Sequence, residues 1–231
     1  MSGAALDRLP DVDEIDWARF IERLLYLFPP VIGVGLIGVI RETEPGVPGL
    51  QYGLLLVSSF GYTFLTLGLL VAIFFDARRI RRLPRASGNW HPNPWLNAAF
   101  ALVSAPLAGV VYLARRHRRF GTRSGWSGWW LVVAVSLATT LFGIVAATIA
   151  IILTIPGLLV AAVGLAGAIA FGAFPIAIHQ DAAYVCTDGD SWRPNPGFYL
   201  GIAFLSLFVP PLQPVVAGYY LTRRRREMEL P

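Results

Sequence analysis

Lysine is absent from this chain: all 19 of its basic residues are arginine. Without a lysine amine no Schiff base can form, which excludes retinal and pyridoxal phosphate chemistry. Cysteine is limited to Cys186, so neither an intrachain disulfide nor a thiolate metal site is available. Histidine is nearly as scarce. His91, His117 and His179 are scattered, and no two fall at ligand spacing on one helix face, so no metal site, no haem and no other cofactor is expected. Charged residues make up only 14% of the chain, against about a quarter in soluble domains. The first 20 residues are acidic and lack a basic n-region, so no cleavable signal peptide is expected. Gly-x-Ser-x-Gly, phosphate-binding glycine loops and His-Glu-x-x-His are missing as well. The acidic run around Asp188 lacks the further downstream acids that a phosphotransfer site needs.

Apolar length is what the chain has instead, with 55% hydrophobic residues. Residues 24–40, 50–75, 95–114, 129–153, 157–178 and 197–221 form long apolar segments, and about 20 such residues cross a bilayer. The sequence is that of an all-α integral membrane protein. Pro29 and Pro30 predict a kink or a late helix start in the first segment. Asp11 is placed to cap a short interfacial helix before it, with Glu14 three residues on. Thr154, Ile155, Pro156 and Gly157 predict a turn between the fourth and fifth segments. The fifth carries Gly157, Ala161, Gly164, Ala168 and Gly172, a small-residue face expected to pack closely on another helix.

A frame occurs twice. Asp76-Ala77 and Asp181-Ala182 each follow a long apolar segment, and Trp-x-Pro-Asn-Pro comes next at residues 90–94 and 192–196. A proline-broken apolar stretch then leads to Tyr-Leu-x-Arg-Arg at 112–116 and 220–224, with the last proline six residues before the tyrosine in both copies. Such spacing marks a tandem duplication. The expected organisation is an acidic segment over 1–20, a first membrane repeat over 21–124 and a second over 125–231.

Arginine placement then separates two topologies. Six spans with the N-terminus inside, as 3+3 inverted repeats, leave 12 arginines inside and 7 outside. If 95–114 and 197–221 instead bend at their prolines and leave by the face they entered, 18 lie inside and only Arg41 outside. The second arrangement, with four spanning helices, two re-entrant hairpins and both termini cytoplasmic, is the expected fold.

Within it, Asp76 and Asp181 are expected to pair with Arg115, Arg116, Arg223 or Arg224 at one membrane boundary, as structural ion pairs or an ion site. Trp90 and Trp192 are expected as interfacial anchors, with Asn93 and Asn195 capping the helices that start at the following prolines. The arginines flank apolar segments, so anionic lipid headgroups rather than nucleic acid are the expected counter-charge.

The module from Asp76 through the Trp-x-Pro-Asn-Pro motif to Thr122 resembles one in uncharacterised multipass membrane proteins of haloarchaea, which are archaea. The copy from Asp181 to Arg226 is similar more loosely, with Arg225 where the first has His117. The resemblance spans under half of the chain and implies membrane insertion without any particular activity.

Three functions follow from this inventory. A non-enzymatic scaffold or accessory subunit, working with other membrane subunits or as a homo-oligomer, suits the paired repeats and the missing catalytic sets. A small transporter or channel would run a path between the repeats, lined by the seam Ser58, Ser59, Tyr62, Thr63 and Thr66 with Ser136, Thr139, Thr140 and Thr148. A lipid-processing enzyme would need an interfacial cluster, for which only Asp76, Asp181 and His179 offer themselves. The first is the expected function.

Overall fold

The computed structural model describes residues 15–41, 49–82, 90–123, 125–189, 192–209 and 211–228. Among these residues every regular element is an α-helix: α1 (Trp17–Arg41), α2 (Leu50–Arg82), α3 (Pro94–Val103), α4 (Ala105–Phe120), α5 (Trp129–Ile152), α6 (Pro156–Gly172), α7 (Phe174–Asp188), α8 (Pro196–Phe208) and α9 (Leu212–Met228). Four stretches are long and apolar enough to cross a membrane: Trp17–Ile40, Leu50–Arg82, Trp129–Ile152 and Pro156–Asp188. The protein is therefore all-helical and membrane-embedded.

The proline pair does not delay α1. The helix starts at Trp17, where Asp16 accepts a hydrogen bond from the Arg19 amide at 3.3 Å, and it passes through Pro29 and Pro30. In lipid such breaks persist when neighbours take up the freed backbone groups. Just past the prolines α2 lies close on α1: Ser58 donates to the Val31 carbonyl at 2.8 Å, and Gly35 makes room, since a Cβ there would stand 2.5 Å from Ser58 Oγ. The proposed Asp11 cap lies outside the described residues.

Helix α5 ends at the expected turn, with Thr154 at φ 54° and Pro156 opening α6. The segment 157–178 is not one uninterrupted helix, however. It divides at Ala173, because Pro175 in the first turn of α7 has no N–H to continue the α6 ladder. The small-residue face of α6 also differs from expectation. Within this chain Ala161, Gly164 and Ala168 are exposed, and a Cβ built on Gly157, Gly164 or Gly172 meets nothing within 4 Å. The close approach to α5 runs instead through Gly143, Ala162 and Ala166.

Both proline-broken segments divide into two helices. Ser104 separates α3 from α4, with Pro106 in the first turn of α4, and Val209 ends α8 ahead of α9. Two apolar cores result. The first gathers Ile21, Leu25, Phe28, Leu69, Ile73 and Leu113, and receives Leu200 and Phe204 of α8. The second centres on Val133, Phe174, Ile178, Ala203, Val216 and Tyr220. The halves meet where α8 lies on α4. A Cβ on Gly197 would sit 2.5 Å from the Ala114 backbone nitrogen, and one on Gly201 would sit 2.7 Å from Val110.

Candidate functional site

Tyrosine and the second arginine of Tyr-Leu-x-Arg-Arg are four residues apart, so they share one face of their helix. That face meets the aspartate of the same half. Tyr112 Oη donates to Asp76 Oδ2 at 2.7 Å and Arg116 Nε donates to the same oxygen at 2.9 Å. The second half repeats the arrangement: Tyr220 and Arg224 both donate to Asp181 Oδ2 at 2.7 Å. Burial first, and the neighbouring carboxylate second, push both phenols up, so each hydroxyl keeps its proton and remains a donor.

A tryptophan closes each node. The rings of Trp90 and Tyr112 are 5.5 Å apart with planes at 52°, and those of Trp192 and Tyr220 are 5.4 Å apart at 51°. Both tryptophans are half-buried against the fold, not held only by headgroups. Asn93 caps α3 by accepting from the Trp95 and Leu96 amides at 3.0 and 3.3 Å, and Asn195 accepts from Phe198 at 3.3 Å. Asn195 also donates to the Ala114 carbonyl at 2.7 Å and so ties α8 to α4.

Of the four arginines expected to pair, Arg116 and Arg224 reach the carboxylates. Arg115 is exposed, while Arg223 donates to Tyr219 Oη at 3.3 Å and lies over the Trp192 ring at 5.4 Å. Adjacent arginines on a helix point about 100° apart, so only one of each pair can share the tyrosine's face.

The polar seam is held largely by backbone. Thr63, Ser136, Thr139, Thr140 and Thr148 each donate to the carbonyl four residues earlier in their own helix, at 2.7–2.9 Å. Thr140 also meets Gln213 Oε1 at 2.6 Å.

One cluster escaped the sequence spacing. His117 and His179 are not scattered: their ring centroids stand 5.5 Å apart, and His117 Nε2 lies 3.0 Å from Glu22 Oε1. The three residues lie on α4, α7 and α1, so no periodicity along one helix could connect them. The sequence signal was slight: His117 and His179 each follow an apolar segment, whereas Glu22 precedes one. His91 is exposed and takes no part.

Comparison of the chain with protein-family models, with curated proteins and with solved structures gives no match.

Proposed function

We propose that this protein is a non-enzymatic integral membrane scaffold or accessory subunit, made of two parallel repeats related by a pseudo-two-fold axis along the membrane normal. In each repeat a spanning helical pair is followed by a re-entrant hairpin, α3–α4 or α8–α9, and both termini are cytoplasmic. The re-entrant course draws its support from Trp90 and Tyr112, which meet although they stand at opposite ends of the α3–α4 segment.

The observation that carries the functional reading is how the interior's polar groups are used. One oxygen of each aspartate is taken by tyrosine and arginine, and five of the nine seam hydroxyls bond the backbone of their own helix, while Thr66 Oγ1 is buried without a partner among the described residues. Hydroxyls that bond their own helix offer little to a permeating solute. Such a body holds shape and presents surfaces. Anionic lipid is its ligand through the exposed arginines, and neighbouring subunits are its partners, the open small-residue face of α6 allowing close helix approach.

Reconstitution with sedimentation tests this. Proteoliposomes containing the chain are expected to pass K⁺ and H⁺ no faster than empty vesicles, and the chain solubilised from its own membranes is expected to sediment as a defined assembly. Sustained flux together with a monodisperse monomer would overturn the scaffold and favour a channel.

A further inference from the structure

We propose that Glu22, His117 and His179 form a binding site for a divalent transition metal of the zinc class, pinning α1 and α4 of the first half to α7 of the second. Each residue presents one ligand atom, and the three atoms lie within 4.8 Å of one another. His117 Nε2 and Glu22 Oε1 are already 3.0 Å apart. Ligands held about 2.0–2.1 Å from a tetrahedral zinc stand roughly 3.3 Å apart, so that pair needs almost no movement.

One imidazole nitrogen at the cluster has no other use, that of His179. His179 Nε2 is buried and without a hydrogen-bond partner among the described residues, while His117 reaches Glu22 through Nε2. His179 itself is 0% exposed and His117 4%. Unpaired buried polar atoms are costly to maintain, and a site for an ion is one of the standing explanations.

The surroundings of His179 fit ligation. Its Nδ1 lies 2.7 Å from Tyr26 Oη, which in turn accepts from Gln180 Nε2 at 2.6 Å. A metal-bound imidazole is normally oriented by such a partner on its second nitrogen. Nε2 is then left as the ligating atom.

Charge and donor type point the same way. Glu22 brings a largely buried carboxylate, while the nearby Arg116 guanidinium is engaged by Asp76 at 2.9 Å. Two imidazoles and one carboxylate suit zinc and leave a fourth position for water. A donor set without sulfur gives no preference to cuprous ion or an iron–sulfur cluster.

The cluster also breaks the internal repeat. Aligning Tyr112 with Tyr220 sets Arg225 opposite His117, and aligning the two aspartates sets Phe74 opposite His179. It is a single feature of the junction between halves, not a duplicated packing element.

Metal titration of the full chain decides the matter. The protein is purified in mild detergent with a tag free of histidine, stripped with chelator, and titrated with Co²⁺ and then Zn²⁺. One ion per chain is expected, with visible d–d bands of four-coordinate cobalt that zinc abolishes, and zinc should raise the melting temperature. Glu22→Gln and His179→Gln, checked for folding by circular dichroism and gel filtration, should each weaken zinc binding at least about tenfold. His91→Gln should leave it unchanged. The site is overturned if the wild-type chain binds no stoichiometric ion, or if affinity survives both cluster substitutions in folded protein. Should neither variant fold, X-ray absorption of the zinc-loaded wild type decides alone, and scattering without two imidazoles overturns it.

Discussion

At the scale of residues, the two aspartates do the same work in different solvation. Asp181 and Arg224 have side chains 0% and 4% exposed, whereas Arg116 beside Asp76 keeps 19% of its side-chain surface. Breaking a buried pair from one side strands a charge, which costs about 3–5 kcal/mol. A guanidinium that can turn towards water loses less. Asp181→Asn is therefore expected to lower the melting temperature in detergent clearly more than Asp76→Asn, and Tyr220→Phe to cost only about 1 kcal/mol. Thermal melts of the three variants check this, and an Asp76→Asn variant as unstable as Asp181→Asn would refute the ranking. The aspartates and the arginine pairs are legible in the sequence because the frame that occurs twice lines them up. Which arginine pairs is legible as well once Tyr112 and Arg116 are set on a 3.6-residue helix. Glu22, His117 and His179 are not legible. They come from three helices, Glu22 and His117 being 95 residues apart, and their encounter depends on how α1, α4 and α7 pack.

At the scale of elements, glycine separates contact from open surface. Helix α8 begins against the backbone of α4, where a methyl group on Gly197 would lie 2.5 Å from Ala114 N and 2.7 Å from Ala114 Cα. Backbone cannot step aside as a side chain can. Gly197→Ala is thus expected to cost about 1–3 kcal/mol by overpacking. Gly164→Ala, whose methyl would meet nothing within 4 Å, is expected to be neutral or to gain up to about 1 kcal/mol from helix propensity. Parallel melts of the two variants test the seam, and equal behaviour would mean that α8 does not rest on α4 as described. Sequence patterning located the long helices because lipid demands apolar length. It missed the start of α1 and the break at Ala173, because a proline in an apolar run can sit inside a continuing helix, as Pro29 and Pro30 do, or beside a break, as Pro175 does, and the surrounding packing decides which.

At the scale of the whole molecule, three contacts set direction. Asp76 with Arg116 joins the C-terminal parts of α2 and α4, and Asp181 with Arg224 joins the middle of α7 to the C-terminal part of α9. His117 beside His179 then joins the C-terminal part of α4 to the first half of α7. These contacts lie in one region of the molecule, beside Glu22 near the start of α1. Arginines 78, 81, 82, 115, 118, 119, 223, 225 and 226 are exposed there. Positive side chains at helix C-termini favour the helix dipole by about 0.3–1 kcal/mol each, and each near an anionic leaflet adds about 1 kcal/mol. The proposed four-span course keeps Arg116 on the side of Asp76, and their 2.9 Å contact supports it over six full spans. Single thiols at Arg119→Cys and Arg226→Cys, in a Cys186→Ser background, are therefore expected to react with a membrane-impermeant maleimide from the same face. In sealed cells both should stay unlabelled until the membrane is opened. Labelling of position 119 alone from outside would place α4 on the opposite face, restore six spans with inverted repeats, and divide the arginine belt between two leaflets.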